Sequence, residues 1–129
     1  MNKDKLYIFD TTLRDGAQTQ GVDFSIDDKQ KISEALDSLG VDYIEGGWPG
    51  ANPTDTEFFN KDHNFKNAKL TAFGMTKKSE HSANNDPMLS SLINSKSSSI
   101  CLFGKSWDFQ VDIALGITNE QNLENISES

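Results

Sequence analysis

Short apolar runs alternate with longer amphipathic stretches along the chain. Four runs are rich in β-branched, aromatic and aliphatic residues, and each has the length of a strand. They span residues 6–9, 41–45, 69–73 and 98–103. Charged residues flank the first run, and we expect it to form a buried strand.

The segments between these runs carry the start signals of helices. Ser25 and Asp28 have the spacing of a capping box, and Gly40 suits the position just after a helix ends. Two later starts place a cap residue before a proline, and a third again has capping-box spacing. These three pairs are Asn52 with Pro53, Asp86 with Pro87, and Thr118 with Gln121. The apolar stripe of the first helix consists of Ile32, Ala35, Leu36 and Leu39.

Strand–helix units that return about every 30 residues predict a parallel sheet with helical crossovers. Four units are half of the eight in a (β/α)8 TIM barrel of ~250 residues, and a small doubly wound sheet is the alternative. We expect an α/β fold in which residues 1–129 form about the first four βα units of a truncated barrel.

The charge of the chain excludes some classes of partner. Its net charge is −8, its pI is about 4.6 and its mean hydropathy is −0.58. Lysines cluster no further than in doublets such as Lys77 and Lys78, which we expect to be solvated. A nucleic-acid-binding protein needs a basic surface. We therefore expect neither nucleic acid nor a membrane as a partner.

Cysteine use indicates a reducing compartment. Cys101 is the only cysteine, so it has no partner for an internal disulfide, and its apolar neighbours predict a buried core position. The first twelve residues lack the apolar segment of a signal peptide. We expect a cytoplasmic protein.

The segment after the first predicted strand gathers chemically active side chains. Arg14, the only arginine, stands beside Asp15, with Gly16 and Gln18 close behind. The carboxyl ends of strands are where α/β folds place their reactive loops. A carboxylate is a suitable ligand for Mg²⁺, Mn²⁺ or Zn²⁺, and an arginine stabilises a developing oxyanion. An ordinary surface ion pair is the alternative.

Several motifs carry a resemblance to one enzyme family. The stretch "DTTLRDGAQ" resembles the signature of acyl-CoA-condensing metalloenzymes, which include isopropylmalate, homocitrate and citramalate synthases, and of the related hydroxymethylglutaryl-CoA lyases. The stretches "GVDYIEGGWPGANPTDTEFF", "LTAFGMT" and "GKSWDFQVDIALGI" look most like the citramalate synthase branch. The resemblance extends from Tyr7 to about Ile126. It implies that residues 1–129 form the N-terminal half of a TIM-barrel catalytic domain in a homodimeric enzyme. The remainder of the barrel and any regulatory domain would then lie outside this chain.

The resemblance also implies roles for particular residues. Asp15 matches the aspartate that binds the divalent metal, and Arg14 matches the arginine that faces the substrate carbonyl oxygen. Gln18 matches a glutamine that lines the site. Glu45 matches a carboxylate that projects into the pocket and contributes to catalysis. Phe73, or Gly74 beside it, would lie near the side chain of the 2-oxo acid.

The implied reaction is a Claisen-type condensation of acetyl-CoA with a small 2-oxo acid. Pyruvate as the acceptor gives citramalate, a precursor of isoleucine. Isopropylmalate or homocitrate synthase, an enzyme resembling hydroxymethylglutaryl-CoA lyase, and a non-catalytic gene fragment are the alternatives.

One part of the family pattern is missing from this sequence. The family's metal site also takes a His-x-His pair, whereas His63 and His81 stand alone in predicted loops, where we expect both to be solvated. The downstream base is missing as well. We therefore expect the isolated chain not to turn over. Trp48 either covers the pocket or packs at its rim.

Overall fold

Four parallel strands form a single sheet whose spatial order follows the order of the chain. The computed structural model describes residues 4–129. The strands are β1 (Phe9–Asp10), β2 (Tyr43–Gly47), β3 (Lys69–Met75) and β4 (Ser99–Phe103). A doubly wound sheet reverses its strand order at a switch point, and this sheet does not. The fold is therefore α/β, as predicted, and it matches consecutive units of a (β/α)8 barrel rather than the doubly wound alternative.

Helices connect the strands, because parallel neighbours require a crossover. The connecting helices are α1 (Ile26–Leu39), α2 (Pro53–Asn60) and α3 (Pro87–Ile93), and α4 (Asp108–Gln110) and α5 (Asn119–Glu128) follow β4. A π-helical turn, Val111–Leu115, continues α4, and two 3₁₀ turns lie at Gly16–Gln18 and Ala83–Asn85. No helix within residues 4–129 is long and apolar enough to cross a bilayer.

The predicted helix starts are confirmed. Reciprocal capping-box hydrogen bonds join Ser25 to Asp28 and Thr118 to Gln121. Asn52 and Asp86 cap α2 and α3 through their side chains, and each is followed by a proline at the first helical position. Gly40 ends α1 with a φ of 88°, a left-handed conformation that glycine adopts without strain.

The buried face of α1 differs from the predicted apolar stripe. Ile32 and Leu36 are half-buried, but Ala35 is exposed and Leu39 is 79% exposed. The fully buried residues of the helix are instead Lys29, Ser33 and Asp37. They lie four residues apart and therefore share one face. Polar contacts to neighbouring loops, rather than apolar packing alone, set the rotation of this helix.

The two faces of the sheet have different compositions. One face packs against the helices and forms the core with Ile44, Leu70 and Ala72 from the strands. The helices add Phe58, Phe59, Leu89 and Leu92. On the opposite face, residues in register on parallel strands lie side by side. Pairings of this kind join Glu45 to Thr71 and Phe73 to Cys101.

The two edge strands correct two predictions about burial. Of the first apolar run only Phe9 lies in a strand, β1 continues to Asp10, and residues 6–9 are between 43% and 83% exposed, so the predicted burial is wrong. Cys101 on β4 is only partly buried rather than a core residue. Within residues 4–129, β1 and β4 each pair with one neighbour, so one side of each strand is left uncovered.

Asp37 attaches the end of α1 to the loop that precedes β3. Its carboxylate accepts hydrogen bonds from the backbone N–H groups of Lys66 (3.0 Å), Asn67 (2.8 Å) and Ala68 (2.8 Å). Burial alone would raise the pKa of Asp37, but these three donors hold it below its ordinary value of 3.8. The carboxylate therefore stabilises the fold only while it is ionised.

We expect Asp37→Asn to lower the free energy of unfolding by about 2 kcal/mol at neutral pH, since charge-assisted hydrogen bonds are lost. Because the pKa of Asp37 is lower in the folded protein than in the unfolded protein, its contribution to stability is complete above the unfolded-state pKa. That contribution is lost as the pH falls through the folded-state pKa. Urea unfolding should therefore show the gap between the two proteins narrowing from about pH 5 to about pH 2. Glu34→Gln, at an exposed position of the same helix, should leave the pH dependence unchanged. A constant gap at all pH values would contradict the role given to Asp37.

Candidate active site at the carboxyl ends of the strands

The turn after β1 is held in one conformation by local hydrogen bonds. The Asp10 carboxylate accepts from the backbone N–H and the hydroxyl of Thr12, at 3.0 and 3.1 Å. The backbone N–H groups of Arg14 and Gly16 donate to the carbonyl oxygen of Thr11, at 3.2 and 3.1 Å. Leu13 is fully buried in the core. Its burial anchors the turn that presents Arg14.

Arg14 lies at the centre of a cluster that joins the first three strands. Its Nε donates to Glu45 Oε2 at 2.7 Å, and its Nη1 donates to Asp15 Oδ1 at 3.1 Å. The guanidinium carbon lies 4.1 Å from the centroid of the Phe73 ring. The structure thus brings together four of the five residues expected at the site. Two of the five N–H donors of the guanidinium are used in these contacts.

The three charged groups differ in their access to solvent. The side chain of Glu45 is 1% exposed, that of Arg14 is 21% exposed and that of Asp15 is 64% exposed. Glu45 therefore lies behind the guanidinium, and Asp15 lies at the mouth of the site. A buried carboxylate against an arginine fixes the orientation of the guanidinium plane, because the donors of arginine have a rigid geometry.

Cys101 is a neighbour of the site that sequence reasoning missed. Burial raises the pKa of its thiol, and the negative charge of Glu45 raises it further. The thiol therefore remains protonated beside the carboxylate. Cys101 lies near the site because it pairs in register with Phe73 across β3 and β4. The apolar pattern of a single strand does not reveal which residues pair in this way.

Gln18, the fifth expected residue, lines a cavity of about 440 Å³ with Arg14. Trp48 also borders this cavity, and its ring packs edge-on against Phe73 with 5.5 Å between centroids. Trp48 thus both borders the cavity and packs at its rim. Trp48 also lines a second cavity, of about 320 Å³, together with Met75 and Lys77.

Comparison with known proteins identifies the family of this chain. Residues 5–129 match the model of the HMGL-like family. The chain belongs to the HMGL-like family. The TIM-barrel fold class expected from the sequence agrees with this membership and with the four-stranded parallel sheet.

Individual relatives of this HMGL-like chain are synthases. The chain is 53% identical over 128 residues to the (R)-citramalate synthase of Aquifex aeolicus, and 48% identical over 124 residues to that of Sulfolobus acidocaldarius. These matches cover 98% and 95% of the chain but 24% of each relative, so the chain spans about a quarter of their length. The 2-isopropylmalate synthase of Sulfurisphaera tokodaii is 33% identical over 129 residues, which are 32% of its length.

Two side chains of the HMGL-like chain differ from the solvated positions expected of them. Lys77 is 7% exposed, and its Nζ contacts Asn125 Oδ1 at 3.0 Å and Glu128 Oε2 at 3.0 Å. His63 is half-buried, packs 4.6 Å from the Phe58 ring and makes a 2.8 Å hydrogen bond through Nε2 to the Phe58 carbonyl oxygen. Both predictions are wrong because each loop folds back on a helix.

The donor set for a metal ion is partial. Across residues 4–129 no group of three or more histidine, cysteine, aspartate and glutamate side chains is arranged to hold a metal ion. Asp15 fits as one oxygen ligand, because its carboxylate is largely exposed at the mouth of the site. Glu45 does not fit, because it is buried behind Arg14.

Proposed function

We propose that this chain forms the substrate-carbonyl side of an enzyme that condenses acetyl-CoA with a small 2-oxo acid. The observation that carries the proposal is the geometry of Arg14, whose guanidinium is fixed by Glu45 and Asp15 over the face of Phe73. Within the described residues two of its donors are used, and three N–H donors remain for a substrate oxygen.

Arg14 would hold the oxygen of the keto group as negative charge develops on it. An arginine stays protonated at any physiological pH and is held here before the substrate arrives, so little reorganisation is needed. Glu45 would act through Arg14, since the buried carboxylate fixes the guanidinium plane. Gln18 would contribute a polar group to the wall of the same cavity.

Asp15 would supply one oxygen ligand to Mg²⁺, Mn²⁺ or Zn²⁺. Such an ion, when bound, polarises a carbonyl group as a Lewis acid. The 3.1 Å contact to Arg14 keeps one Asp15 oxygen directed towards the guanidinium. In this proposal Asp15 and Arg14 serve the same carbonyl group from adjacent positions of the chain.

Pyruvate is the acceptor we propose, with citramalate as the product and isoleucine biosynthesis as the context. The support is the higher identity to (R)-citramalate synthases, 40% to 53%, than to 2-isopropylmalate synthases, 33% to 34%. We further propose that residues 1–129 form the N-terminal half of the barrel in a cytoplasmic homodimer. Residues 1–3 of that unit lie outside the described part of the chain. The one-quarter coverage of the relatives supports this division.

A chimaera tests the proposed function. The matching 128 residues of the A. aeolicus (R)-citramalate synthase are replaced by this chain, and release of CoA from acetyl-CoA is measured with pyruvate. We expect pyruvate-dependent release by the chimaera and none by the isolated chain. A chimaera that folds but releases no CoA with pyruvate or with any larger 2-oxo acid would reject the proposal.

We expect Phe73→Leu to change the choice of acceptor in this chimaera. The ring borders Arg14 and Trp48, so its removal enlarges the space beside the reacting carbonyl. The kcat/KM ratio of 2-oxobutanoate to pyruvate should rise about tenfold, as expected for room for one methylene group. Phe109→Leu, at a position 56% exposed, is the matched control. An unchanged ratio would place Phe73 away from the acceptor side chain.

A further inference from the structure

Lys29 is a buried lysine at the centre of a polar network beneath the candidate site. Its Nζ donates to the carbonyl oxygens of Leu13 at 3.0 Å and Gly46 at 2.8 Å, and it forms an ion pair with Asp55. These contacts use the three N–H donors of an ammonium group. The residue is 3% exposed.

The two carbonyl groups belong to the residues next to the Arg14–Glu45 pair. Leu13 directly precedes Arg14 in the turn after β1, and Gly46 directly follows Glu45 in β2. One ammonium group therefore joins the two backbone segments from which the guanidinium and its carboxylate partner project. A shift of either segment would lengthen the 2.7 Å hydrogen bond between Arg14 and Glu45.

Asp55 extends the network to the loop between β2 and α2. One carboxylate oxygen pairs with Lys29, and the other accepts from the backbone N–H of Trp48 at 2.8 Å and from Asn52 Nδ2 at 2.9 Å. The Asp55 carboxylate therefore has a fixed orientation before it meets the ammonium group. It also links the position of Trp48 to that of Lys29.

We propose that Lys29, held by Asp55, is a positioning residue that sets the spacing between Arg14 and Glu45. The inference depends on the proposed function in one respect, which is that Arg14 is the residue that contacts the substrate. Lys29 itself acts through the backbone, because its donors are committed to Leu13, Gly46 and Asp55.

Replacing both members of the Lys29–Asp55 ion pair can distinguish a positioning role from a role in stability alone. Replacing a buried ion pair by apolar residues of similar volume is often neutral or stabilising, whereas removing one partner leaves a buried charge unpaired. An apolar pair cannot make directional bonds to two carbonyl oxygens. Stability and the geometry of Arg14 should therefore respond differently when both charges are removed.

The single arginine provides a spectroscopic test on the 129-residue chain. Because Arg14 is the only arginine, its Nε–Hε group gives one signal in a ¹⁵N NMR spectrum. In the unchanged chain we expect slow exchange of this proton with solvent, since it is bonded to buried Glu45. Lys29→Met should speed the exchange about tenfold or more, the factor for losing one charge-assisted hydrogen bond.

Two further variants complete the experiment. Lys31→Met removes an exposed lysine of the same helix and should leave the Arg14 signal unchanged. The double variant Lys29→Met with Asp55→Leu leaves no unpaired buried charge at this pair. We expect it to unfold at a higher urea concentration than Lys29→Met, which leaves the Asp55 carboxylate unpaired, while exchange at Arg14 stays fast.

Three results would overturn the inference. The first is equally slow exchange in Lys29→Met and Lys31→Met. The second is a double variant that regains stability and also regains slow exchange of the Arg14 Nε proton. The third is a double variant that does not fold. Either result would show that the Lys29–Asp55 pair serves folding alone. CoA release by the chimaera is a separate measurement, so an inactive chimaera with the expected NMR results would reject only the proposed function.

Discussion

Replacing Arg14 with lysine in the chimaera should lower kcat by about 100-fold, the usual consequence of removing one oxyanion donor. Lysine keeps the positive charge but loses the planar arrangement of donors. The three donors of an ammonium group share one nitrogen, whereas Arg14 contacts Glu45 and Asp15 through two separate nitrogens, so lysine cannot keep both contacts and also hold a donor in the same position above Phe73. The loss should appear mainly in kcat, because the interaction is strongest in the transition state.

The matched control for Arg14→Lys is the opposite substitution at an exposed lysine. Lys31→Arg on α1 should leave kcat within about twofold of the unchanged chimaera, as expected for a surface substitution. Steady-state rates at saturating acetyl-CoA, with pyruvate varied, separate kcat from KM. If Arg14→Lys kept full kcat, the proposed contact between the guanidinium and the developing oxyanion would be wrong.

The elements that were predictable from sequence are those specified by neighbouring residues. Capping pairs such as Ser25 with Asp28 act over three residues, so their spacing alone identifies the start of a helix. Three of the four strands were also located, although β2 and β3 continue two residues beyond their predicted ends, to Gly47 and Met75, whereas β1 overlaps its predicted run only at Phe9. Those extra residues carry the backbone into the loops that border the site.

Burial was less predictable, because it depends on partners that are distant in the sequence. The pattern of α1 favours Leu39 as an inward residue, yet Lys29 and Asp37 occupy the buried face. Each finds acceptors or donors from another segment, between 16 and 31 residues away. A polar side chain is stable inside the fold when its hydrogen bonds are satisfied there, and local hydropathy does not record such partners.

The candidate site also combines features that local sequence predicts with features that depend on distant residues. The position of Arg14 after the first strand indicates where its side chain lies, and the family resemblance supplies its expected role. Its contact with Glu45 joins residues 31 positions apart and depends on the parallel pairing of β1 with β2. Cys101 entered the neighbourhood of Glu45 only through the register of a fourth strand, which local sequence does not specify.

Gly47 is the position where the sequence is most constrained by this network. Its φ is +142°, a conformation that residues with a side chain rarely adopt, and a Cβ there would lie 2.6 Å from both carboxylate oxygens of Asp55. The carboxylate cannot rotate away without losing Lys29 and the Trp48 N–H. The backbone geometry of Gly47 and the buried ion pair therefore depend on each other.

We expect Gly47→Ala to lower the free energy of unfolding of the chain by about 4 kcal/mol, of which backbone strain contributes about 1–3 kcal/mol. Displacing Asp55 from Lys29 adds to this loss, because breaking a buried pair is costly. Urea unfolding followed by the fluorescence of Trp48 and Trp107 measures the change. The expected loss is large compared with the total stability of an ordinary domain, about 5–15 kcal/mol.

Gly21→Ala is the matched control for Gly47→Ala. Gly21 also has a positive φ, +83°, but a Cβ added to it would have no atom within 4 Å. The substitution should cost only the strain of a left-handed residue, about 1–2 kcal/mol. The difference between the two variants therefore measures the steric conflict with Asp55. Equal losses would show that Asp55 moves freely, and would also remove the rigid carboxylate on which the positioning role of Lys29 depends.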